Sequence, residues 1–354
     1  MRLLKYSYKR SDHPIFNDWT MDEIDLQSFN LIVGKNAVGK SRTLRLPSAF
    51  ADMITQNSSV YIGNWEFTFI ADDNQKICYN INSSFKSIRE KILVDGKSVL
   101  ERDHKVTKLY SQTKQDFDEI SPPDKKLVLH VRRDKREYPF LEHIVEWAEK
   151  THTFKFGQVH PNSFAGGDRS EKHLKTMEDV PALIEELTDT SKKDVIDEFN
   201  EIGYDIENFY AKKEGDKDIL YVREKKLTYD LRQNLLSQGM FRAISLITFI
   251  HYLTDRNNAK TIIVDDLCEG LDYERATKLG KLIFEKFRDR GVQLIVSSND
   301  CFLMDVINIR YWNVLVRENA RIRVYNYKNS KDKFDDFKYS GLSNSDLFSS
   351  DYLD

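Results

Sequence analysis

The chain has 354 residues, 40% of them hydrophobic and 31% charged, with a formal net charge of −3. That composition fits one large globular domain or two ordinary ones, and excludes a disordered or collagenous chain. It gives no general attraction to polyanions, so nucleic acid is a partner only through a local basic patch. Cys78, Cys268 and Cys301 are scattered and odd in number, against a disulfide framework or a zinc site. Met1 to Tyr8 is too polar for a signal peptide, and the longest largely apolar stretch, Ile244 to Tyr252, is too short to span a bilayer. A cytoplasmic protein without a membrane partner is expected.

In chain order, Leu3 to Tyr8 reads as an opening strand, followed by a polar turn at Ser11-Asp12-His13-Pro14. Phe29 to Val33 reads as a short buried strand. It leads into Gly34-Lys35-Asn36-Ala37-Val38-Gly39-Lys40-Ser41, which fits G-x-x-x-x-G-K-[ST], the phosphate-binding P-loop. The glycines let successive N–H groups turn inward toward phosphate oxygens, and the helix that opens at Arg42 adds partial positive charge. Lys40 is expected to reach the β- and γ-phosphates and the Ser41 hydroxyl to ligate Mg²⁺. Strand, glycine loop and helix start together mark a nucleotide site, with Gly34 to Ser41 and Arg42 as the residues expected to bind the nucleotide.

The helix is expected to run past Ala49 and Met53, with Pro47 as a kink. Tyr61 to Ile70 and Lys76 to Ile81 then alternate like strands around a turn at Asp72-Asp73-Asn74. A second hairpin is expected at Ile92-Leu93-Val94, Asp95-Gly96 and Ser98-Val99-Leu100. Residues 60–112 are assigned to an antiparallel β subdomain. Leu127 to Val131 reads as a buried strand ending at Arg132-Arg133. Phe140 to Trp147, Val180 to Leu187 and Val195 to Phe199 read as amphipathic helices without sustained heptads. Phe164-Ala165-Gly166-Gly167-Asp168 reads as a mobile loop. Ile219 to Val222 and Leu227-Thr228-Tyr229 return to strand.

Leu235-Leu236-Ser237-Gln238-Gly239 precedes the apolar helix Ala243 to Tyr252, with Ser237 as its N-cap and Gly239 leaving backbone amides bare. Such a start is either an ordinary capped core helix or a second anion-binding site. Thr261-Ile262-Ile263-Val264-Asp265-Asp266 is an apolar strand delivering two carboxylates, one suited to the Mg²⁺ shell and the next to polarising a water. Val292 to Val296 repeats the plan and ends in Ser297-Ser298-Asn299. This alternation implies a parallel sheet with its ligands at the strand C-terminal edge. Trp312 to Val316 and Arg321 to Tyr327 read as a hairpin, Lys328 to Lys338 as solvated loop, and Tyr339, Leu342, Leu347 and Phe348 as apolar anchors in a tail.

The ordered set Gly34–Ser41, Leu236–Gly239, Ile262–Asp266, Gly270-Leu271-Asp272 and Val296–Asn299 resembles the ABC-type ATPase family. Within it the chain is similar to the non-transporter branch that includes RecF, SMC and OLD-like proteins, often described as AAA-like. The resemblance implies an α/β fold: a P-loop ABC-type ATPase head with a parallel core sheet, an antiparallel β subdomain and a helical insert. It implies a single head over 1–330 (core 1–59 and 218–330, β subdomain 60–112, strand and helical insert 113–217) and a tail over 331–354. It implies ATP and Mg²⁺ as cofactors. Ser237, Gln238 and Gly239 become the signature motif that contacts the γ-phosphate held by the other subunit of a homodimer. Asp265 is the Walker B metal ligand, Asp266 the residue polarising the attacking water, Asp272 the D-loop aspartate and Asn299 the switch residue, with Lys40 completing the catalytic set.

Two positions depart from the family pattern: Asp266 replaces glutamate and Asn299 replaces histidine. An aspartate carboxylate sits roughly 1.5 Å short of a water aligned for glutamate, and a misplacement of about 1 Å can cost on the order of a hundredfold in rate. Asparagine does not titrate near neutrality as histidine does. Slow hydrolysis is therefore expected, with Glu269 as an alternative carboxylate. Arg132-Arg133 falls where the family often places its Q-loop or an arginine near the nucleotide, and Phe16 and Trp19 are candidates to stack on adenine. By analogy the family implies a protein effector partner and a role in genome or phage defence. The other readings are a nucleotide-sensing scaffold and a transporter's ATPase subunit.

Overall fold

The computed structural model describes residues 1–10, 19–55, 60–103, 106–163, 180–288, 291–339 and 341–349. The turn at Ser11–Pro14, Phe16 and the Phe164–Asp168 loop lie outside these residues, as does the side chain of Phe348.

The chain opens with β1 (Arg2–Lys9), β2 (Thr20–Asp25) and β3 (Phe29–Val33), and the P-loop leads into α1 (Lys40–Thr55). Six antiparallel strands follow: β4 (Gly63–Ile70), β5 (Lys76–Ser83), β6 (Ile88–Val94), β7 (Lys97–Arg102), β8 (Thr107–Ser111) and β9 (Asp116–Ile120). α2 (Val128–Val131), α3 (Pro139–Glu149) and β10 (Thr151–Lys155) bring the chain back to the core. An insert carries α4 (Val180–Ile184), α5 (Asp189–Glu201), β11 (Ile206–Glu214), β12 (Lys217–Glu224) and β13 (Leu231–Arg232). The second half of the core is α6 (Gln238–Asp255), β14 (Thr261–Asp265), α7 (Tyr273–Arg288), β15 (Gln293–Ser297), α8 (Cys301–Val306), β16 (Trp312–Glu318) and β17 (Arg321–Asn326). Two helices follow, α9 (Lys331–Tyr339) and α10 (Asn344–Ser349).

Among the described residues fourteen strands form one sheet, in the order β10-β14-β15-β3-β16-β17-β2-β1-β4-β5-β6-β7-β8-β9, and β11, β12 and β13 form a separate sheet. From β10 to β16 neighbouring strands are parallel. Burial follows from this. Along β14, Ile262 and Val264 enter one core and Ile263 the other; Leu294 and Val296 of β15 divide from Ile295 in the same way. Strands covered on both faces read as continuous apolar runs, which is why these were visible in the sequence. α1 and α3 cover one face, and α6 and α7 cover the other. From β1 through β4 to β9 the pairing is antiparallel, and these strands continue to Ile120, beyond the 60–112 expected of the β subdomain, within the same sheet as the core strands. Its Asp95-Gly96 turn has φ of 49° and 82°, the left-handed pair that a two-residue hairpin needs.

α1 runs through Pro47. Proline cannot donate to the carbonyl one turn back, that of Thr43, and the Tyr6 hydroxyl takes that carbonyl at 3.1 Å. The strand expected over Leu127–Val131 is instead the one-turn helix α2. The Val128 N–H donates to the buried Glu90 carboxylate at 3.0 Å, and the His130 ring is paired with the Met53 carbonyl at 2.9 Å. Tertiary partners thus override a β-branched segment's preference. Leu227–Tyr229 is irregular chain with a bend rather than strand. Lys328–Lys338 is not a solvated loop, because α9 buries Phe334 and Phe337 in the core. Leu347 is buried as an anchor, whereas Tyr339 and Leu342 are exposed. Among the described residues no helix is long and apolar enough to cross a membrane.

Candidate functional site

The C-terminal ends of β3, β14 and β15 meet at one edge of the parallel sheet. After β3 the backbone curls through Ala37 at φ 63° and Gly39 at φ 115°. A Cβ on Gly34 would fall 2.7 Å from Val38 Cγ1 and 2.9 Å from the Leu315 carbonyl oxygen, so no larger residue fits there. The buried Lys40 folds back over the loop and donates from Nζ to the carbonyls of Gly34 at 2.7 Å and Lys35 at 3.2 Å. Burial lowers its pKa, against the pull of Asp266 and Asp265. Ser41 is exposed at the start of α1.

The end of β15 organises the end of β14. Ser297 Oγ donates to Asp265 Oδ1 at 2.6 Å and accepts from the Asp266 N–H at 3.0 Å, while Ser298 Oγ donates to the Leu267 carbonyl at 2.8 Å. Asp266 has φ 56° and Cys268 φ 70°, two non-glycine residues in left-handed backbone in the segment after β14. Burial raises the Asp266 pKa, and Asp265 and Glu269 raise it further. Asn299 reaches the P-loop directly, its Nδ2 donating to Asn36 Oδ1 at 3.0 Å. The four candidates Lys40, Asp265, Asp266 and Asn299 are thus brought together.

Sequence reasoning missed Gln158. β10 pairs in parallel with β14, Lys155 opposite Asp265, and a single 3₁₀ turn over Phe156–Gln158 follows. This puts Gly157 against Asp266 and leaves the next residue, Gln158, exposed. A Cβ on Gly157 would lie 3.2 Å from Asp266 Cβ and would run into Glu269 Oε2, so the glycine makes room for that carboxylate. The signal was present as Thr151-His152-Thr153-Phe154-Lys155, a short strand followed by Phe156-Gly157-Gln158. Arg132-Arg133 does not take this place. His130 binds Met53 near the far end of α1, about 20 Å from Lys40 along the helix, and Arg133 is committed to Glu142 at 2.6 Å.

Arg242, equally unread in the sequence, is buried on α6 and binds three backbone carbonyls. It donates to Val159 at 3.1 Å, to Glu269 at 2.8 Å and to Gly157. The turn bearing Gln158 and the segment after β14 are therefore tied to the same helix. At that helix's N-terminus the exposed Ser237 accepts from the Met240 N–H at 3.2 Å, the cap expected from the sequence. Gly239 lies against the Gly270–Asp272 segment: a Cβ there would meet Leu271 Cδ2 at 2.8 Å and the Gly270 carbonyl oxygen at 3.3 Å. Ser237, Gln238, Gly239 and Asp272 line a cleft of about 440 Å³ that includes no P-loop residue. Within the subunit Asp272 caps α7, accepting from the Arg275 N–H at 3.0 Å and from the Arg275 guanidinium.

Trp19 is 5% exposed, and the Arg42 guanidinium lies 4.0 Å from its ring centroid. Its indole is therefore covered, which removes it as a direct platform for a base.

The residues present fit a nucleotide with Mg²⁺. The loop at Gly34 and Gly39 is a cradle that side chains would fill, and Ser41 with Asp265 offers hard oxygen ligands of the kind Mg²⁺ takes. Among the described residues no group of three or more His, Cys, Asp or Glu is placed to hold a metal, so such an ion would be held largely by phosphate and water.

No family model and no curated protein matches the sequence. Solved structures do resemble the chain. The SMC head domain from Thermotoga maritima matches with a TM-score of 0.50 at 14% identity, over 92% of this chain and 99% of its own. A SmcHead bound to the C-winged helix domain of ScpA matches with a TM-score of 0.55 at 11% identity, over 92% and 97%. The Smc head domain of Pyrococcus furiosus, with an extended coiled coil and bound to the C-terminal domain of ScpA, gives 0.52 at 11% identity, over 95% and 99%. At such identities the likeness is one of fold, and the fold is that of an SMC head domain.

Proposed function

We propose that the protein binds MgATP, hydrolyses it slowly, and uses ATP to close a homodimer that acts through a partner protein. The observation that carries this reading is the meeting of Lys40, Asp265, Asp266 and Asn299 from three strand ends at one sheet edge. Loop amides and Lys40 hold the β- and γ-phosphates, and Ser41 and Asp265 hold Mg²⁺, which neutralises charge on the phosphates. Asp266 orients the attacking water. Asn299, already within hydrogen-bond reach of the loop, donates to the γ-phosphate, and Gln158 lines the same space from the β10 side. The left-handed backbone at Asp266 and a non-titrating switch residue support slow turnover.

Dimerisation rests on the separation of the two anion-binding features. The helix start at Ser237–Gly239 opens onto a cleft without P-loop residues, so a γ-phosphate contacted by both features is one shared by two subunits related by a twofold axis. Two of the fold relatives were solved with a bound domain of ScpA, which supports a protein partner here. A place in genome defence rests on the sequence resemblance alone. The test is equilibrium binding of MgATP and phosphate release by the wild type and Lys40→Ala. Binding within twofold of wild type in the variant overturns the site.

A further inference from the structure

A nucleotide on this loop has a direction. Asn299 at the end of β15 bonds Asn36 of the loop, and Ser297 beside it bonds Asp265, so the γ-phosphate end lies toward the ends of β14 and β15. Arg42 lies on the other side of β3, over Trp19 at the start of β2, three strands beyond β3 in the direction away from β14 and β15. Arg317 donates to the Ala37 carbonyl of the loop at 3.3 Å. The nucleoside end of the ligand therefore points to the side where Arg42 lies over Trp19.

Arg42 is exposed while Trp19 beneath it is buried. The indole is held in turn by Tyr8, whose ring lies 5.5 Å from that of Trp19 and whose hydroxyl donates to the Ile62 carbonyl at 2.9 Å. A guanidinium is planar and stacks on π systems with either face. One face is engaged by the indole at 4.0 Å, and an exposed arginine keeps the other available to a flat ring. We infer that Arg42, steadied by Trp19, is the platform on which the purine ring of the bound nucleotide stacks. This rests on the nucleotide reading above and assigns the base subsite within it. It also accounts for an aromatic residue buried so near the loop without reaching it.

Arg42→Lys separates the roles, because lysine keeps the charge that attracts phosphate and loses the flat surface. ATP and inorganic tripolyphosphate, each with Mg²⁺, would be titrated calorimetrically against the wild type, Arg42→Lys and Trp19→Leu. The expected result is a loss of roughly tenfold in ATP affinity for Arg42→Lys, with tripolyphosphate affinity changed less than twofold. Trp19→Leu should show the same selective loss, smaller in size. An equal loss for both ligands in Arg42→Lys, or no loss for either, overturns the platform and leaves the phosphate site standing. A wild type that binds neither ligand removes the nucleotide reading and the platform with it.

Discussion

The side chain of Asn299 donates to that of Asn36 across 3.0 Å, joining the end of β15 to the tip of the P-loop. Two amides so placed can exchange this bond for bonds to a phosphate oxygen without moving a strand. Asn299→Leu is expected to leave ATP affinity within about threefold and to lower the hydrolysis rate by on the order of a hundredfold, the effect of losing one fixed donor to a developing charge. Single-turnover measurements at saturating ATP check this. Because the amide does not titrate, Asn299→His should add a rate dependence near pH 6.5 that the wild type lacks.

Asp266 carries a second consequence of its backbone. At φ 56° an aspartate is tolerated better than a longer side chain. Asp266→Glu is therefore expected to lower the melting temperature by about 2 °C, as a loss of about 1 kcal/mol would in a chain of this size. Asp266→Asn should melt within a degree or so of wild type. Thermal denaturation of the two variants side by side tests whether backbone strain, rather than water geometry alone, selects the short acid.

The same residue sets a pH limb. Burial, then Asp265 and Glu269, raise its pKa above the ordinary 3.8. A carboxylate that must be ionised to accept the water's proton loses activity as pH falls through that raised value. Its stability effect has the opposite sign, since the folded state binds the proton more tightly and gains stability as pH falls through the same window. Glu269→Gln removes one negative neighbour and should shift the acid limb of the hydrolysis profile to lower pH. A limb that stays in place would mean that the two carboxylates do not interact.

In the β subdomain, Glu90 accepts from Arg102 at 2.9 Å and from the Tyr79 hydroxyl at 2.5 Å, all three buried. Arg102 also holds the carbonyls of Lys126 at 2.6 Å and Pro123 at 2.9 Å, fixing the segment that leads into α2. Arg102→Met leaves a buried acid without its counter-charge and takes this donor from two carbonyls, and should cost about 3–5 kcal/mol. Denaturant unfolding measures it. Pairing it with Glu90→Gln should recover part of the loss.

What was legible in the sequence follows from what sequence pattern can carry. The strands buried on both faces, the P-loop and the paired aspartates announce themselves locally, and Ser297 and Asn299 came with them as the end of a strand. Gln158 did not, because β10 is short and half-polar and gains its meaning only from pairing with β14. Arg242 reads as one charge in an apolar helix; its role lies in three carbonyls on segments remote in the chain. Phe334 and Phe337, three residues apart, could have been read as a helix face, but the charges around them mask the pattern.

The last prediction concerns Ser237. Its hydroxyl caps α6 within the subunit, accepting from the Met240 N–H, so a large substitution would confound a lost cap with a lost interface. Aspartate caps a helix as well as serine does, and the side chain is exposed, so Ser237→Asp should leave folding and melting unchanged. In a dimer that places this helix start against the γ-phosphate of the opposite subunit, the new carboxylate faces a polyanion. Mass in solution would be measured with a slowly hydrolysed ATP analogue for wild type, Ser237→Asn and Ser237→Asp. The expected outcome is an ATP-dependent dimer for the first two and a monomer for Ser237→Asp, which still binds one ATP per chain. A Ser237→Asp protein that dimerises and hydrolyses like wild type would reduce this helix start to a cap and nothing more.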